Sequence, residues 1–115
     1  MKESNIKRDA LISKDKKHRY SLKRIWDDKK PKVLFIMLNP SLANSNQDDP
    51  TIRRLINFTK KLGYGGFYVG NLFSYITPYP KDLLNQDLRY CNKNLKEIRK
   101  MIALSNEVIY GWGNS

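Results

Sequence analysis

The length and composition of the chain indicate one ordinary globular domain: 115 residues, 40% of them hydrophobic and 29% charged. No apolar run approaches the roughly 20 residues that span a bilayer, and the opening segment MKESNIKRDA lacks the apolar stretch of a signal peptide. Cys91 is the single cysteine, which excludes an internal disulfide and a multi-cysteine metal site. We therefore expect a cytoplasmic protein with no membrane contact, no cofactor and no metal.

The net charge of +11 is concentrated towards the amino terminus, where residues 1–32 carry +7 while residues 33–115 carry +4. Such an excess favours a nucleic acid or another polyanion as partner, through phosphate contacts and counterion release. A lysine-rich solvated surface is the alternative, because charge alone carries no specificity. We expect a monomer in either case.

Residues 1–17 are polar and lysine-rich without a sustained hydrophobic period, which predicts a basic flexible arm, either frayed or a short helix. Residues 18–115 are expected to form a single α/β domain. Its first element is HRYSLKRIWD, in which Tyr20, Leu22 and Trp26 alternate on one face. This pattern predicts an antiparallel edge strand.

A well-bounded strand and helix follow. Val33–Met37 is continuously apolar, as is typical of a strand buried on both faces. After the loop LNPSLANSNQ, Asp49 is suited to cap a helix, Pro50 to occupy its first position and Gly63 to end it. The apolar positions expected to face the sheet from this helix are Ile52, Leu55, Ile56 and Leu62.

A second buried strand begins at Phe67–Val69, so the chain contains a strand–helix–strand unit. Such a unit implies two parallel strands, whose carboxyl ends leave the sheet at one edge. Asn39 and Asn71 stand at these two ends, and open α/β sheets bind their ligands at that edge. We therefore expect both carboxamides to face one crevice that reads an amide-like edge, such as a nucleobase.

The remaining elements complete an α/β fold. A second helix is expected over Asn85–Leu104, with one apolar stripe toward the sheet, and a third strand over Val108–Tyr110. Together these elements predict three layers: a short, mostly parallel sheet flanked by helices, with an amino-terminal antiparallel strand. The apolar stripe of the second helix comprises Leu88, Cys91, Leu95, Ile98 and Ile102.

The two asparagines and their neighbours are the first group of candidate site residues. Asn39, held extended before Pro40, can orient a water for attack or contact a base, or else form a turn. Asn71 can pair with a pyrimidine edge, or else be satisfied by loop backbone. Ser41, which continues the Pro40 loop, can bind a phosphate or merely form the turn.

Two carboxylates and one aromatic ring form the second group. Asp48 and Asp49 precede the first helix, where one of them caps the helix and the other can orient a catalytic water or contact an arginine or lysine. Phe73 can stack on a base or pack in the core. His18, the single histidine, lies among basic residues, which predicts a solvated side chain. The sequence shows no phosphate-cradling glycine loop, metal-ligand cluster or Ser–His or Cys–His nucleophile pair.

Five segments of the chain resemble an uncharacterised family of bacteria and phages, the domain of unknown function 1643. They cover nearly all of residues 19–113, in order, and the family carries no established activity. The segments are RYSLKRIW, FIMLNPSLA, DDPTIRR, GYGGFYVGNLFSYITP and YGWG.

The chain is also distantly similar to the uracil-DNA glycosylase superfamily. MLNPS resembles that superfamily's water-positioning Gly-x-Asn-Pro-Gly loop, and YVGNLFSYITPYP resembles its strand that ends in a uracil-reading asparagine. The resemblance implies that Asn39 orients the water and that Asn71 reads the base. Ser41 departs from this pattern, because the superfamily has a glycine at that place.

The resemblance also implies a further element beyond the chain. The superfamily's His-Pro-Ser loop enters the minor groove and stabilises the leaving base, and it would lie after Ser115. We therefore expect a chain truncated at its carboxyl end. The implied function is a DNA base glycosylase that flips its base into the crevice, enzymatic once that loop is restored. The alternatives are a non-catalytic nucleotide or nucleic-acid binding module and an inert truncated relative.

Overall fold

The computed structural model describes residues 5–77, 79 and 88–111, and this part of the chain folds as a mixed five-stranded sheet with two helices. The strands are β1 (Lys7–Ile12), β2 (Arg19–Ile25), β3 (Lys32–Met37), β4 (Gly66–Asn71) and β5 (Glu107–Tyr110), and the helices are α1 (Pro50–Lys61) and α2 (Leu88–Leu104). Neither described helix is long and apolar enough to cross a membrane.

The sheet has the strand order β1-β2-β4-β3-β5. β3 pairs in parallel with β4, as the strand–helix–strand unit predicted, and also in parallel with β5, whereas β2 is antiparallel to both β1 and β4. The α/β class is therefore confirmed, but the sheet is mixed rather than mostly parallel. The edge position predicted for β2 is wrong, because β1 covers its outer side.

The first strand forms where the sequence predicted a flexible arm or a short helix. Residues Lys7–Ile12 instead pair with β2, with Lys7 opposite Ile25 and Leu11 opposite Ser21. Along β1 exposed residues alternate with half-buried ones, so none of its side chains is fully buried. An edge strand of this kind is stabilised by backbone hydrogen bonds. Because these bonds do not require apolar side chains, the sequence of β1 shows little hydrophobic period.

One face of the sheet packs against α1. Asp49 caps the helix, Pro50 opens it and Gly63 follows it with a left-handed φ of +85°, as predicted. Leu62 was expected to face the sheet but is 53% exposed, because it is the capping residue after the helix and the buried stripe ends at Thr59. The core on this face comprises Leu22, Val33, Phe35, Ile52, Ile56, Phe67 and Val69.

The other face of the sheet packs against α2. Ile98 and Met101 of the helix are buried against Leu34 and Ile36 of β3. Leu34 and Ile36 alternate along the strand with the residues that contact α1, so the two helices cover opposite faces. The sheet edge at the carboxyl ends of β3 and β4 therefore lies between them.

The apolar stripe predicted for α2 is wrong for most of its members. Cys91 is exposed, Leu95 is 48% exposed and Ile102 is 46% exposed. The physical reason is Asn94, which is 3% exposed and bonds the backbone after β4, so that it fixes the rotation of the helix about its axis. The start of this helix predicted at Asn85 lies outside the described residues.

A bulge in β2 decides which face its first residues occupy. The pairing with β1 shifts at Ile12, which lies opposite Arg19 and leaves Tyr20 as an extra residue. The Arg19 guanidinium consequently reaches Ala43, in the core under α1, whereas the Tyr20 ring lies under the ammonium group of Lys93 from α2. The bulge therefore directs a guanidinium toward the ends of β3 and β4.

Candidate functional site at the carboxyl ends of the parallel strands

β3 and β4 end side by side at one edge of the sheet. Met37 pairs with Asn71 in the parallel register, and beyond this pair the Phe73 amide donates to the Leu38 carbonyl at 3.0 Å. Asn39 and Asn71 therefore lie at the same edge. Among the described residues no hydrogen bond joins the two carboxamides, and each contacts a different neighbour.

Asn71 is buried against a buried arginine. Both residues are 1% exposed, and Arg19 Nη2 donates to Asn71 Oδ1 at 3.4 Å. Arg19 Nη1 donates to the Ala43 carbonyl at 2.9 Å and lies 3.4 Å from Ser41 Oγ. Burial lowers the pKa of Arg19 to about 10, and the Asp49 carboxylate opposes that shift. The guanidinium therefore remains charged at neutral pH.

Three buried polar atoms near this edge have no hydrogen-bond partner among the described residues: Arg19 Nε, Asn71 Nδ2 and Asn94 Oδ1. Asn94 is tied to the edge by its own amide, which donates to the Asn71 carbonyl at 2.7 Å and to the Leu72 carbonyl at 3.3 Å. Leaving a buried donor or acceptor unpaired costs about 1–3 kcal/mol. The edge is therefore polar, buried and incompletely satisfied.

Asn39 stands at the end of β3 with its amide engaged. Its Nδ2 atom donates to the Thr77 carbonyl at 2.7 Å, and its side chain is half-buried. This bond fixes the orientation of the carboxamide and leaves Oδ1 as an acceptor. Pro40, the next residue, is buried and favours an extended backbone at Asn39.

Asp49 is a helix cap in this structure. Its Oδ1 accepts from the Ile52 amide at 2.9 Å, and its Oδ2 accepts from the amides of Leu42 and Ala43 at 3.1 and 3.3 Å. Burial raises the pKa of Asp49, but hydrogen bonds from Ser41 and from these amides outweigh that effect, so the net pKa lies below the ordinary value of 3.8. The carboxylate therefore orders the Ser41 loop and the start of α1 together.

Asp48 is held between two arginines. Its Oδ1 accepts from Arg24 Nε at 2.7 Å and its Oδ2 accepts from Arg8 Nη2 at 2.8 Å. Burial raises the pKa of Asp48, but the two guanidinium groups lower it by more. The fully buried Arg24 also donates through Nη2 to the carbonyls of Asn44 and Gln47. Asp48 therefore joins the start of α1 to β1 and β2.

The prediction of a solvated His18 is wrong. The residue is 4% exposed, its Nδ1 lies 2.7 Å from Ser74 Oγ, and its ring stacks on Tyr90 with the centroids 3.8 Å apart. Its backbone forms a bridge with Tyr75, which draws it into the chain that leaves β4. Phe73, the predicted stacking residue, is half-buried in that same segment.

The sequence-based reasoning missed three buried residues: Arg19 and Asn94, which hold the sheet edge, and Arg24, which holds the loop from β3 to α1. Charged and amide side chains are usually exposed, and the burial of these three depends on partners that are distant in the sequence. One signal was present. Arg24 shares the alternating face predicted from Leu22 and Trp26, whereas the burial of Arg19 depends on the bulge in β2.

A cleft of about 540 Å³ opens beside the edge, between the β1–β2 turn and the loop that joins β3 to α1. Ser41 lines this cleft, whereas Asn39 and Asn71 do not. The described residues contain no group of three or more His, Cys, Asp or Glu side chains that could hold a metal ion. The polar groups that line the cleft are the side chains of serines, asparagines and lysines.

Comparisons with curated proteins and with solved structures find no match. A family model with the description "Protein of unknown function (DUF1643)" matches residues 19–115. The match begins at the first residue of β2 and includes every candidate site residue at the sheet edge. The chain therefore belongs to the DUF1643 family of proteins of unknown function.

Proposed function

We propose that this chain binds a nucleobase of a nucleic acid at the carboxyl ends of β3 and β4. The observation that carries the proposal is Asn71 Nδ2, a donor on a residue that is 1% exposed and that lacks a hydrogen-bond partner among the described residues. An unpaired buried donor costs about 1–3 kcal/mol, and an acceptor on a ligand would offset that cost. The carbonyl oxygen of a base is such an acceptor.

The contact with Arg19 favours one class of base. Arg19 donates to Asn71 Oδ1, which orients the amide so that its buried Nδ2 atom is an unpaired donor. A second unpaired donor, Arg19 Nε, lies on the adjacent side chain. Donors complement the carbonyl groups of uracil, thymine and guanine better than the amino groups of cytosine and adenine. We therefore expect the site to prefer bases with a carbonyl group at the contacted edge.

The charge of the chain supports a base within a polymer rather than a free base. A net charge of +11 favours phosphate contacts and counterion release. The resemblance of MLNPS and YVGNLFSYITPYP to the uracil-DNA glycosylases leads us to expect DNA in preference to RNA. Phe73, half-buried two residues after Asn71, is available to stack on a base, which is worth about 1–3 kcal/mol in single-strand binding proteins.

The contacts of the two carboxylates favour binding over hydrolysis. Asp48 accepts from two arginines, and Asp49 accepts from three backbone amides. A general base must reach the water that it activates, and either carboxylate would first have to leave these partners. A binding module therefore agrees better with the geometry than an N-glycosidic hydrolase does.

Base excision is the second candidate, and one observation favours it. The bond from Asn39 Nδ2 to the Thr77 carbonyl leaves Asn39 Oδ1 able to hold a water at the end of β3. Oligonucleotides with uracil or modified pyrimidines, treated with alkali to cleave abasic sites, test this candidate. We expect little or no excision by the 115-residue chain. Robust excision that is lost in Asn39→Ala would establish the hydrolase instead.

Base binding is tested by saturation-transfer NMR with uridine, thymidine, cytidine and adenosine. The informative variant is Asn71→Asp, which keeps an acceptor for Arg19 but removes the Nδ2 donor. Asn57→Asp makes the same chemical change at an exposed position of α1 and is the control. We expect the wild type and the Asn57 variant to prefer uridine and thymidine, and the Asn71 variant to lose that preference. Equal binding by all three proteins, or no binding by any, would overturn the proposal.

A further inference from the structure

The β1–β2 turn, residues 13–17, lies at the same sheet edge as Asn71. β2 runs antiparallel to β4, with Leu22 opposite Val69, so the start of β2 is next to the end of β4. Two clefts flank this turn, and both are lined by Ser13 and Lys14. The turn therefore separates two neighbouring concave surfaces beside the candidate base site.

The turn is ordered and carries a lysine in an unfavourable conformation. The Ser13 amide donates to the His18 carbonyl and the Lys16 amide donates to the Ser13 carbonyl, both at 2.9 Å. The Asp15 carboxylate accepts from the Lys17 amide at 3.0 Å. Lys16 has a φ of +63°, a left-handed conformation that favours glycine or asparagine. Because strained backbone conformations cluster at functional sites, the φ of Lys16 marks this turn as a candidate binding element.

The first cleft, of about 540 Å³, has the features of a phosphate-binding surface. Lys14 and Lys16 line one side, and the loop of residues 41–46 lines the other with serine and asparagine side chains. No acidic residue occurs among the described residues that line it. The far wall is held in place from beneath, because Arg19 bonds the Ala43 carbonyl and Arg24 bonds the Asn44 carbonyl. Ammonium and hydroxyl donors on two fixed walls suit phosphate oxygens.

The second cleft, of about 450 Å³, presents an aromatic ring. Tyr90 lines it, and the Tyr90 ring is stacked on His18 at an interplanar angle of 4°. Lys93 also lines this cleft and places its ammonium group 5.3 Å from the centroid of the Tyr20 ring. Asp15 is the carboxylate in the wall, and it is engaged with the hydroxyl of Ser13 and with the Lys17 amide. The cleft therefore combines the Tyr90 ring, whose position is fixed by stacking on His18, with the ammonium group of Lys93.

We propose that the β1–β2 turn binds a single-stranded segment of nucleic acid, with its phosphates in the first cleft and an unpaired base stacked on Tyr90 in the second. This inference rests on the proposed function, and it names the strand type and a second contact surface. Basic grooves next to aromatic platforms are the usual means of binding single strands. In a duplex the bases are stacked on one another, so a ring such as Tyr90 has no base face to contact.

Fluorescence anisotropy with a labelled oligothymidine, titrated with salt, tests the phosphate contacts. In the variant, Lys14 and Lys16 are both replaced by glutamine. In the control, Lys29 and Lys61 are replaced by glutamine, because these exposed lysines lie at the opposite edge of the sheet and the charge change is equal. We expect the variant alone to bind more weakly, with a log–log salt slope flatter by about 1.4, the value for two phosphates of a single strand. Equal losses in variant and control would overturn the proposal.

The aromatic contact and the strand type need a second pair of measurements. Tyr90→Phe keeps the ring and Tyr90→Leu removes it, so we expect only the leucine variant to lose affinity for the oligothymidine, by at least about fivefold. The matching duplex should bind the wild type more weakly and should not distinguish the two variants. Tighter binding of the duplex, or equal affinities of both variants for the single strand, would contradict the proposal.

The failure of this inference is distinguishable from the failure of the proposed function. The double lysine variant should retain the preference for uridine in the nucleoside experiment, because nucleosides carry no phosphate. If the lysine variant binds oligothymidine normally and Asn71→Asp still loses the base preference, only phosphate binding in the first cleft is refuted. If oligonucleotide binding depends on the two lysines but no preference for uridine and thymidine depends on Asn71, only the proposed base site is refuted.

Discussion

Arg24 donates from Nε to Oδ1 of Asp48 across 2.7 Å, and the arginine side chain is completely buried while the aspartate side chain is 11% exposed. Arg8 adds a second ion pair to the same carboxylate at 2.8 Å. The remaining guanidinium donors of Arg24 reach backbone carbonyls, including those of Asn44 and Gln47. One residue of β2 therefore holds the loop from β3 to α1, which forms a wall of the first cleft.

Replacement of Asp48 by asparagine should lower the free energy of unfolding by about 3 kcal/mol. The variant leaves the buried Arg24 charge without a carboxylate, and breaking a buried ion pair from one side costs about 3–5 kcal/mol. Urea denaturation measures the change. Asp28→Asn removes the partner of Lys7 from an exposed ion pair and should have little effect. Equal losses in the two variants would show that the Asp48 pair is not structural.

The stability of the protein should fall at acidic pH. The pKa values of Asp48 and Asp49 are both lowered from 3.8, since guanidinium groups and hydrogen bonds outweigh the effect of burial. The unfolded chain therefore binds more protons than the folded one near that value. The resulting stabilisation is complete above the unfolded pKa and is lost as the pH falls through the folded pKa values.

Melting temperatures recorded from neutral pH down to about pH 2 measure this dependence. We expect Asp48→Asn to show a shallower fall than the wild type, because one of the carboxyl groups with a lowered pKa is gone. Asp28→Asn should follow the wild-type curve. A wild-type Tm that does not change across the acidic range would contradict the lowered pKa values.

Replacement of Gly65 by alanine should destabilise the fold by at least about 2 kcal/mol, as overpacking does in cores. A Cβ atom at Gly65 would lie 2.0 Å from the Asp27 carbonyl oxygen, a backbone atom that cannot rotate away. The Gly65 carbonyl also accepts from the amides of Trp26 and Asp27. Gly111→Ala is the control, because no atom of the described residues lies within 4 Å of its Cβ position. Thermal unfolding of both variants is the measurement, and equal Tm values would contradict the close approach.

The elements that follow local rules were the ones that the sequence predicted well. The bounds of α1 follow from Asp49, Pro50 and Gly63, whose preferences for a cap, a first turn and a left-handed stop act within a few residues. The parallel pairing of β3 with β4 follows equally from two apolar runs around that helix. The prediction that Leu62 faces the sheet was wrong, because the hydrophobic period alone does not show where a helix stops contacting the sheet.

The features that depend on distant partners could not be predicted in this way. α2 carries an apolar stripe through Cys91 and Leu95, yet the helix buries Asn94, because that amide bonds carbonyls at the end of β4. The burial of Arg19 likewise requires the bulge in β2 and the Ala43 carbonyl, which lies 24 residues along the chain. Polar groups that are buried by such contacts resemble surface residues in the sequence.

Replacement of Lys16 by glycine should stabilise the fold and weaken the binding of single strands. The backbone of Lys16 has a φ of +63°, which costs a residue with a Cβ atom about 1 kcal/mol and costs glycine little. We expect the free energy of unfolding in urea to rise by about 0.5–1 kcal/mol. Lys16→Gln loses the same charge but keeps the backbone cost, so it should bind as weakly as the glycine variant without gaining stability. Lys14→Gly, at a residue without a positive φ, should gain no stability either. Stabilisation in Lys16→Gly with undiminished oligothymidine affinity would show that the lysine has no part in binding.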